Sequence, residues 1–98
     1  MLNNIDKERK SDRVLVLEPI EGQKVRGSTG MVDPTLFTGE NNIHALQEPI
    51  TGFWRVKYDR GSPPPSIKEQ KFTSFNRLME FLGPYFEKRG VSITKVID

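Results

Sequence analysis

The sequence predicts an α+β domain: a small antiparallel sheet of about four or five strands, packed against one C-terminal helix and completed by a closing strand. Two observations predict it. Several short apolar or alternating segments come first, and a segment with helical apolar spacing follows them. The chain has 98 residues, a length that suits one domain. We therefore expect a single domain over residues 13–98, preceded by a polar segment over residues 1–12.

The first strand is predicted over about residues 13–18. Residues 14–17 are all aliphatic, so both faces of this strand are apolar and we expect it to lie in the middle of the sheet. Pro19 has no N–H to donate to a neighbouring strand, so pairing should stop there.

A β-hairpin is predicted from residues 43–47 and 53–59. The five-residue link between them has Pro49 early and Gly52 late, which favours a turn with glycine at a positive φ. Side chains alternate across a strand, so the second hairpin strand should have one core face and one solvent face. The core face would carry Trp54, Val56 and Tyr58.

The C-terminal helix is predicted over about residues 74–89. Thr73 or Ser74 can cap its first turn, because a hydroxyl oxygen accepts a hydrogen bond from a free backbone N–H. Its apolar residues recur at helical spacing and form one stripe for burial against the sheet. These residues are Phe75, Leu78, Met79, Leu82 and Phe86.

Pro84 lies inside this helical pattern. It lacks an N–H and its ring crowds the carbonyl of residue 80, so we expect the helix to be kinked or broken near Pro84. Gly90 is placed to end the helix in a left-handed conformation. Residues 91–97 then alternate as the closing strand.

Two segments of the chain are predicted to be loops. Residues 21–35 are rich in glycine and form a long connection, a length that is often functional. Residues 60–66 contain three consecutive prolines and read as an extended surface loop.

The composition excludes several kinds of site. The chain has no Cys and one His, so disulfides and thiolate metal sites are ruled out and no metal or cofactor is expected. His44 is either a surface or half-buried hairpin residue or a general base beside Asp59 or Glu40. No nucleophile elbow and no phosphate-binding loop is present, so we expect a protein that is not an enzyme.

The sequence gives no sign of export or of membrane insertion. Its first residues contain no apolar run like that of a signal peptide, and no stretch reaches the roughly 18 apolar residues of a membrane span. We therefore expect a cytoplasmic protein.

A basic surface is predicted around the second hairpin strand. Residues 53–71 contain five basic and two acidic residues, although the net charge of the whole chain is only +2. Basic side chains beside an aromatic ring can bind a phosphate backbone and stack a base. The alternative is an ordinary solvated face. The residues are Phe53, Arg55, Lys57, Arg60, Lys68 and Lys71.

An aromatic patch is predicted on the flank of the C-terminal helix. Phe72, Phe81 and Tyr85 fall outside the main apolar stripe, and the last two are neighbours at i, i+4. Either the stripe is wide and buries them, or they form a contact patch for another chain.

These observations predict a non-enzymatic module that binds another protein or its own copy. A short chain of mixed charge without a motif is typical of small accessory proteins, such as those that bacteriophages carry, but no residue pattern here identifies a family. The alternative is a nucleic-acid-binding accessory domain that uses the basic surface.

Overall fold

The structure, a computed structural model of the chain, describes residues 12–27, 31, 43–59 and 61–98. Apart from Asp12, the predicted polar segment lies outside the described residues. Residues 28–30 and 32–35 of the predicted loop, and residues 39–42 just before the hairpin, also lie outside the described residues.

The described residues form four strands and two helices. In chain order they are β1 (Asp12–Pro19), β2 (Ile43–Gln47), β3 (Trp54–Tyr58), α1 (Pro65–Lys68), α2 (Phe75–Glu87) and β4 (Val91–Ile97). The strands form one sheet in the order β3-β2-β1-β4, and all neighbours are antiparallel. The predicted α+β fold, with its helix and its closing strand, is confirmed.

Strand β1 lies between β2 and β4, as its two apolar faces predict. Leu15 and Leu17 are buried on the inner face, while Val14 and Val16 are half-buried on the other. Pairing with β4 ends at Pro19, which lies opposite Val91. We call the face that carries Val14 and Val16 the outer face of the sheet.

The predicted hairpin is formed by β2 and β3. The N–H of Glu48 donates to the carbonyl of Phe53 at 2.8 Å, and the N–H of Gly52 donates to the carbonyl of Glu48 at 2.9 Å. Gly52 has a φ of 76°, the left-handed region that the turn prediction requires.

Helix α2 begins at the second of the two predicted caps. The hydroxyl oxygen of Ser74 accepts a hydrogen bond from the N–H of Arg77 at 3.1 Å. The stripe residues Leu78, Leu82 and Phe86 are completely buried. The helix thus presents its apolar face to the sheet, as its periodicity predicts.

Helix α2 continues past Pro84, so the break that the sequence allowed does not occur. Pro84 and Glu80 are both exposed, so the carbonyl that the proline deprives of a donor lies on the solvent side of the helix. Leu82 and Phe86, on either side of Pro84, are both completely buried. Burial on both sides of the proline holds the helix together across it.

Trp54 and Phe75 join the hairpin to the helix. Trp54 is only 6% exposed, and the two rings meet edge to face with centroids 5.2 Å apart. The guanidinium of Arg13 lies 4.4 Å from the Phe75 ring centre and 5.2 Å from that of Trp54, and its Nε lies 3.1 Å from a carboxylate oxygen of Asp98. A paired cation therefore covers this end of the core.

Two core side chains come from the segment predicted as a surface loop and from the residues that follow it. Residues Pro65–Lys68 form one helical turn, and Ile67 is 1% exposed. Phe72 then forms an isolated antiparallel bridge with Trp54, on the side of β3 that faces away from β2. The apolar side chains of the two residues lie in the same core.

Gly90 ends the turn after α2 with a φ of 86°, as predicted for a helix-terminating glycine. Its carbonyl accepts from the N–H of Ile20 at 2.8 Å. A Cβ placed on Gly90 would lie 2.2 Å from the carbonyl oxygen of Lys24. The loop after β1 therefore passes directly over the end of the helix, and only glycine fits there.

The close approach at Gly90 gives the first prediction. Gly90→Ala should lower the free energy of unfolding by about 3 kcal/mol, because a left-handed backbone strain of about 1–2 kcal/mol is added to a steric clash. Gly22→Ala is the matched control: its φ is 82°, but nothing lies within 4 Å of the added Cβ. Gly22→Ala should lower the free energy of unfolding by only about 1–2 kcal/mol. Urea unfolding of both variants measures the difference, and equal losses would contradict the clash.

Candidate functional site: a groove along the flank of α2

A column of three side chains runs along the flank of α2 beside the buried stripe. Phe81, Tyr85 and Arg89 are spaced at i, i+4 and i+8, so helical geometry brings them onto one side of the helix and the turn that follows it. All three are half-buried.

The rings in this column are in contact. Phe72 and Phe81 have centroids 5.5 Å apart, and Phe81 and Tyr85 are nearly parallel at 6.2 Å. The guanidinium of Arg89 lies 3.7 Å from the centre of the Tyr85 ring. Phe72 is 6% exposed and lies before the helix, where it pairs with Trp54, so its burial comes from the core and not from the helix stripe. Phe81 and Tyr85 pack against the core but keep part of their surface in solvent.

Two shallow cavities meet at Phe81. One has a volume of about 440 Å³ and is lined by Lys71, Phe72, Thr73, Arg77, Glu80 and Phe81. The other, of about 400 Å³, is lined by Ser66, Phe81, Pro84, Tyr85, Lys88 and Arg89. Because Phe81 lines both cavities, they adjoin on the flank of α2, and we call the two together the aromatic groove.

The aromatic groove has two cations in each of its cavities. Lys71 and Arg77 line the first, and Lys88 and Arg89 line the second. None of the four forms an ion pair with any residue that the structure describes. Glu80 is the acidic residue in the lining. The groove therefore has an apolar floor and a net positive charge.

Arg89 is the most constrained of these cations. Its Nη1 donates to the carbonyl of Tyr85 at 3.0 Å, which satisfies one free carbonyl of the last helical turn. Its Nε is buried and has no hydrogen-bond partner among the described residues. A half-buried guanidinium without a carboxylate is an electrostatically unsatisfied group.

The predicted basic surface is brought together in part. Arg55 and Lys57 are exposed on the outer face, and the bridge between Trp54 and Phe72 sets a register that places Lys71 beside Arg55. The charge of Arg55 is already paired, since its Nε lies 2.9 Å from a carboxylate oxygen of Glu48.

The other members of the basic surface contribute less to a common face. Phe53 is half-buried just before β3, and Lys68 is exposed at the end of α1. Arg60 lies outside the described residues. The β3 aromatics Trp54 and Tyr58 point into the core, so they offer no ring to a base on this surface.

His44 lies on the outer face of β2 between two carboxylates. Its Nε2 is 2.7 Å from Asp59 and its Nδ1 is 3.3 Å from Asp12. The ring thus links the start of β1 to the end of β3 across the strand between them. Both ring nitrogens are occupied by carboxylates, which leaves neither of them for a substrate. Glu40, the other carboxylate considered for His44, lies outside the described residues.

A third cavity lies beside the end of α2, where Gly22, Gln23, Lys24, Arg26, Lys88 and Gly90 line a volume of about 360 Å³. Its lining is mainly polar, and it contains the described part of the glycine-rich loop. His44 lines none of the three cavities.

The described residues contain no group of three or more His, Asp or Glu side chains placed to hold a metal ion. In the described part of the chain, neither helix is long and apolar enough to cross a membrane. Comparison of the chain with protein-family models, with curated proteins and with solved structures gives no match in any of the three.

Of the residues that line the aromatic groove, Lys71, Phe72, Phe81 and Tyr85 belong to the candidate sites predicted from the sequence. Arg77, Lys88 and Arg89 belong to none of those sites. The spacing of Arg89 four residues after Tyr85 was the available signal, because it predicts a cation beside the ring.

The link through His44 gives the second prediction. His44→Leu should lower the free energy of unfolding by about 1 kcal/mol, since the contacts of both ring nitrogens with the carboxylates of Asp12 and Asp59 are lost. Lys57→Leu is the matched control, because Lys57 lies directly opposite on β3 and forms no ion pair with a described residue. Its effect should stay within about 0.5 kcal/mol. Denaturant unfolding at neutral pH compares the two, and equal effects would contradict a linking role.

Proposed function

We propose that this chain is a non-enzymatic docking module that binds another protein through the aromatic groove. The observation that carries the proposal is the pair of adjoining cavities at Phe81, which combine half-buried aromatic rings with cations that form no ion pair with a described carboxylate. Aromatic residues and arginine are the side chains that contribute most often to protein–protein affinity.

Two features favour a different protein over a second copy of this chain. The edge of β4 that no described strand covers would be the simplest route to self-pairing, but the strand has a bulge at Thr94, whose hydroxyl donates to Glu18 at 2.6 Å. Lys95 follows the bulge and is exposed. Bulges and lysines on an edge strand discourage sheet-to-sheet pairing.

The absence of catalysis is part of the proposal. It rests on His44, whose two ring nitrogens face Asp12 and Asp59 and which lines none of the three cavities described above. The cytoplasmic location expected from the sequence stays a prediction.

Photo-crosslinking tests the docking surface. A benzoylphenylalanine at position 85 should crosslink a protein in a lysate of the source organism, because the groove places this side chain against the partner. The same probe at Ile50, which is 96% exposed at the hairpin turn, is the control and should give no specific adduct. Excess unlabelled wild-type chain should abolish the adduct, whereas excess Tyr85→Ala should compete poorly.

Three results would contradict this proposal. They are the absence of any adduct at position 85, equal adducts at positions 85 and 50, and an adduct that contains only this chain. Light scattering after size exclusion gives the oligomeric state independently and identifies the last case.

The second candidate function is nucleic-acid binding by the outer face near β3. The observation that favours it is the register that sets Lys71 beside Arg55, with Lys57 on the same face. Contacts from these residues would reach phosphates, which carry no sequence information.

Salt dependence tests this second candidate. Affinity for an oligothymidylate, measured by fluorescence anisotropy, should fall steeply with salt, and the slope should decrease by about one for each of Arg55→Ala and Lys57→Ala. Lys95→Ala, on the opposite edge strand β4, should leave the slope unchanged because two strands separate it from β3. Binding that is indifferent to salt, or equal effects of all three variants, would rule this function out.

A further inference from the structure

We infer that the partner in the aromatic groove is an acidic peptide segment with apolar side chains between its carboxylates. The inference rests on the proposed function and specifies the chemistry of its partner. Its basis is charge complementarity, because each end of the groove has two cations that form no ion pair with a described residue, and the floor between them is aromatic.

The spacing of the cations sets the length of the segment. Arg77 and Lys88 are eleven positions apart along α2 and its cap, which corresponds to about 16 Å at about 1.5 Å per residue. An extended peptide covers that distance with about five residues at about 3.3 Å each. Acidic residues separated by about five positions, with an aromatic or branched side chain between them, would reach both ends of the groove at once.

Arg89 is the strongest anchor for a carboxylate. Arg13 and Arg55 each have a carboxylate within 3.1 Å, whereas Arg89 has none among the described residues and is half-buried on the Tyr85 ring. Its stacking on the ring and its bond to the Tyr85 carbonyl hold the guanidinium in place before a partner arrives. A fixed guanidinium binds a carboxylate with less loss of side-chain entropy than a free one.

Two features favour a peptide over a nucleic acid in this groove. Glu80 lies in the lining and would repel a chain of phosphates, whereas a peptide can place a neutral residue beside it. Arg89 covers one face of the Tyr85 ring, and Phe81 lies nearly parallel to that ring. One face of the Tyr85 ring is therefore not open to a stacked base.

Selection from a random peptide library displayed on phage tests the inference. The wild-type chain should enrich peptides with Asp or Glu on both sides of an aromatic or branched apolar residue. A synthetic copy of the enriched peptide should bind at least about tenfold more tightly than its analogue with Gln and Asn in place of Glu and Asp. Its affinity should fall as salt rises.

Charge-removing variants locate the binding. Arg89→Gln should lower the affinity for the synthetic peptide about tenfold, and Lys88→Gln or Arg77→Gln should lower it about two- to fivefold each. Lys95→Gln, an exposed lysine on β4, is the control and should leave affinity unchanged. Circular dichroism checks that each variant is folded, and Arg89→Lys separates the planar stack from the charge, because it keeps only the charge.

Enrichment of neutral or basic peptides, no enrichment at all, or equal affinity for the acidic peptide and its amide analogue would overturn the inference. Displacement of the bound peptide by an oligothymidylate, with tighter binding of the oligonucleotide, would assign the groove to nucleic acid instead. If a protein adduct forms at position 85 while acidic peptides show no preference, the docking function stands and only this description of the partner fails.

Discussion

The packing of the apolar stripe of α2 against the inner face of the sheet determines the rest of the structure. Leu78, Leu82 and Phe86 are completely buried against it, and Trp54 meets the first residue of the helix. This contact fixes the rotation of the helix about its own axis. Once the stripe faces inward, helical geometry leaves Tyr85 on the flank, half in solvent. The aromatic groove is thus a direct consequence of how the core is packed.

The fold could be predicted from local patterns, because both the alternation in β3 and the helical spacing in α2 are contained in short windows of sequence. Features that depend on contacts between distant residues could not. Ile67 is a lone apolar residue near a proline run, and nothing in its neighbours shows that it fills the core. The pairing of Phe72 with Trp54 joins residues 18 positions apart and has no periodic signal. At Pro84 the local pattern predicts a break, but the helix continues because it is buried on both sides of the proline.

A net charge of +2 conceals an uneven distribution of paired and unpaired cations. Two arginines at the sheet have carboxylate partners: Arg13 with Asp98, and Arg55 with Glu48. The cations along α2 have none among the described residues. Whole-chain charge therefore says little about binding here, and the pairing of individual side chains says more. Which cations are neutralised depends on strand register, a property that composition does not contain.

The position of β1 between β2 and β4 has a consequence for how the chain is assembled. While the chain is being synthesised, the hairpin can pair with β1 early, but the other edge of β1 stays open until residues 91–97 exist. That edge belongs to the most aliphatic strand of the sheet, so the incomplete molecule displays an unprotected template for association with other chains. Truncation before β4 should therefore yield aggregates rather than a smaller folded unit. By pairing with β1, strand β4 prevents other chains from pairing with that edge.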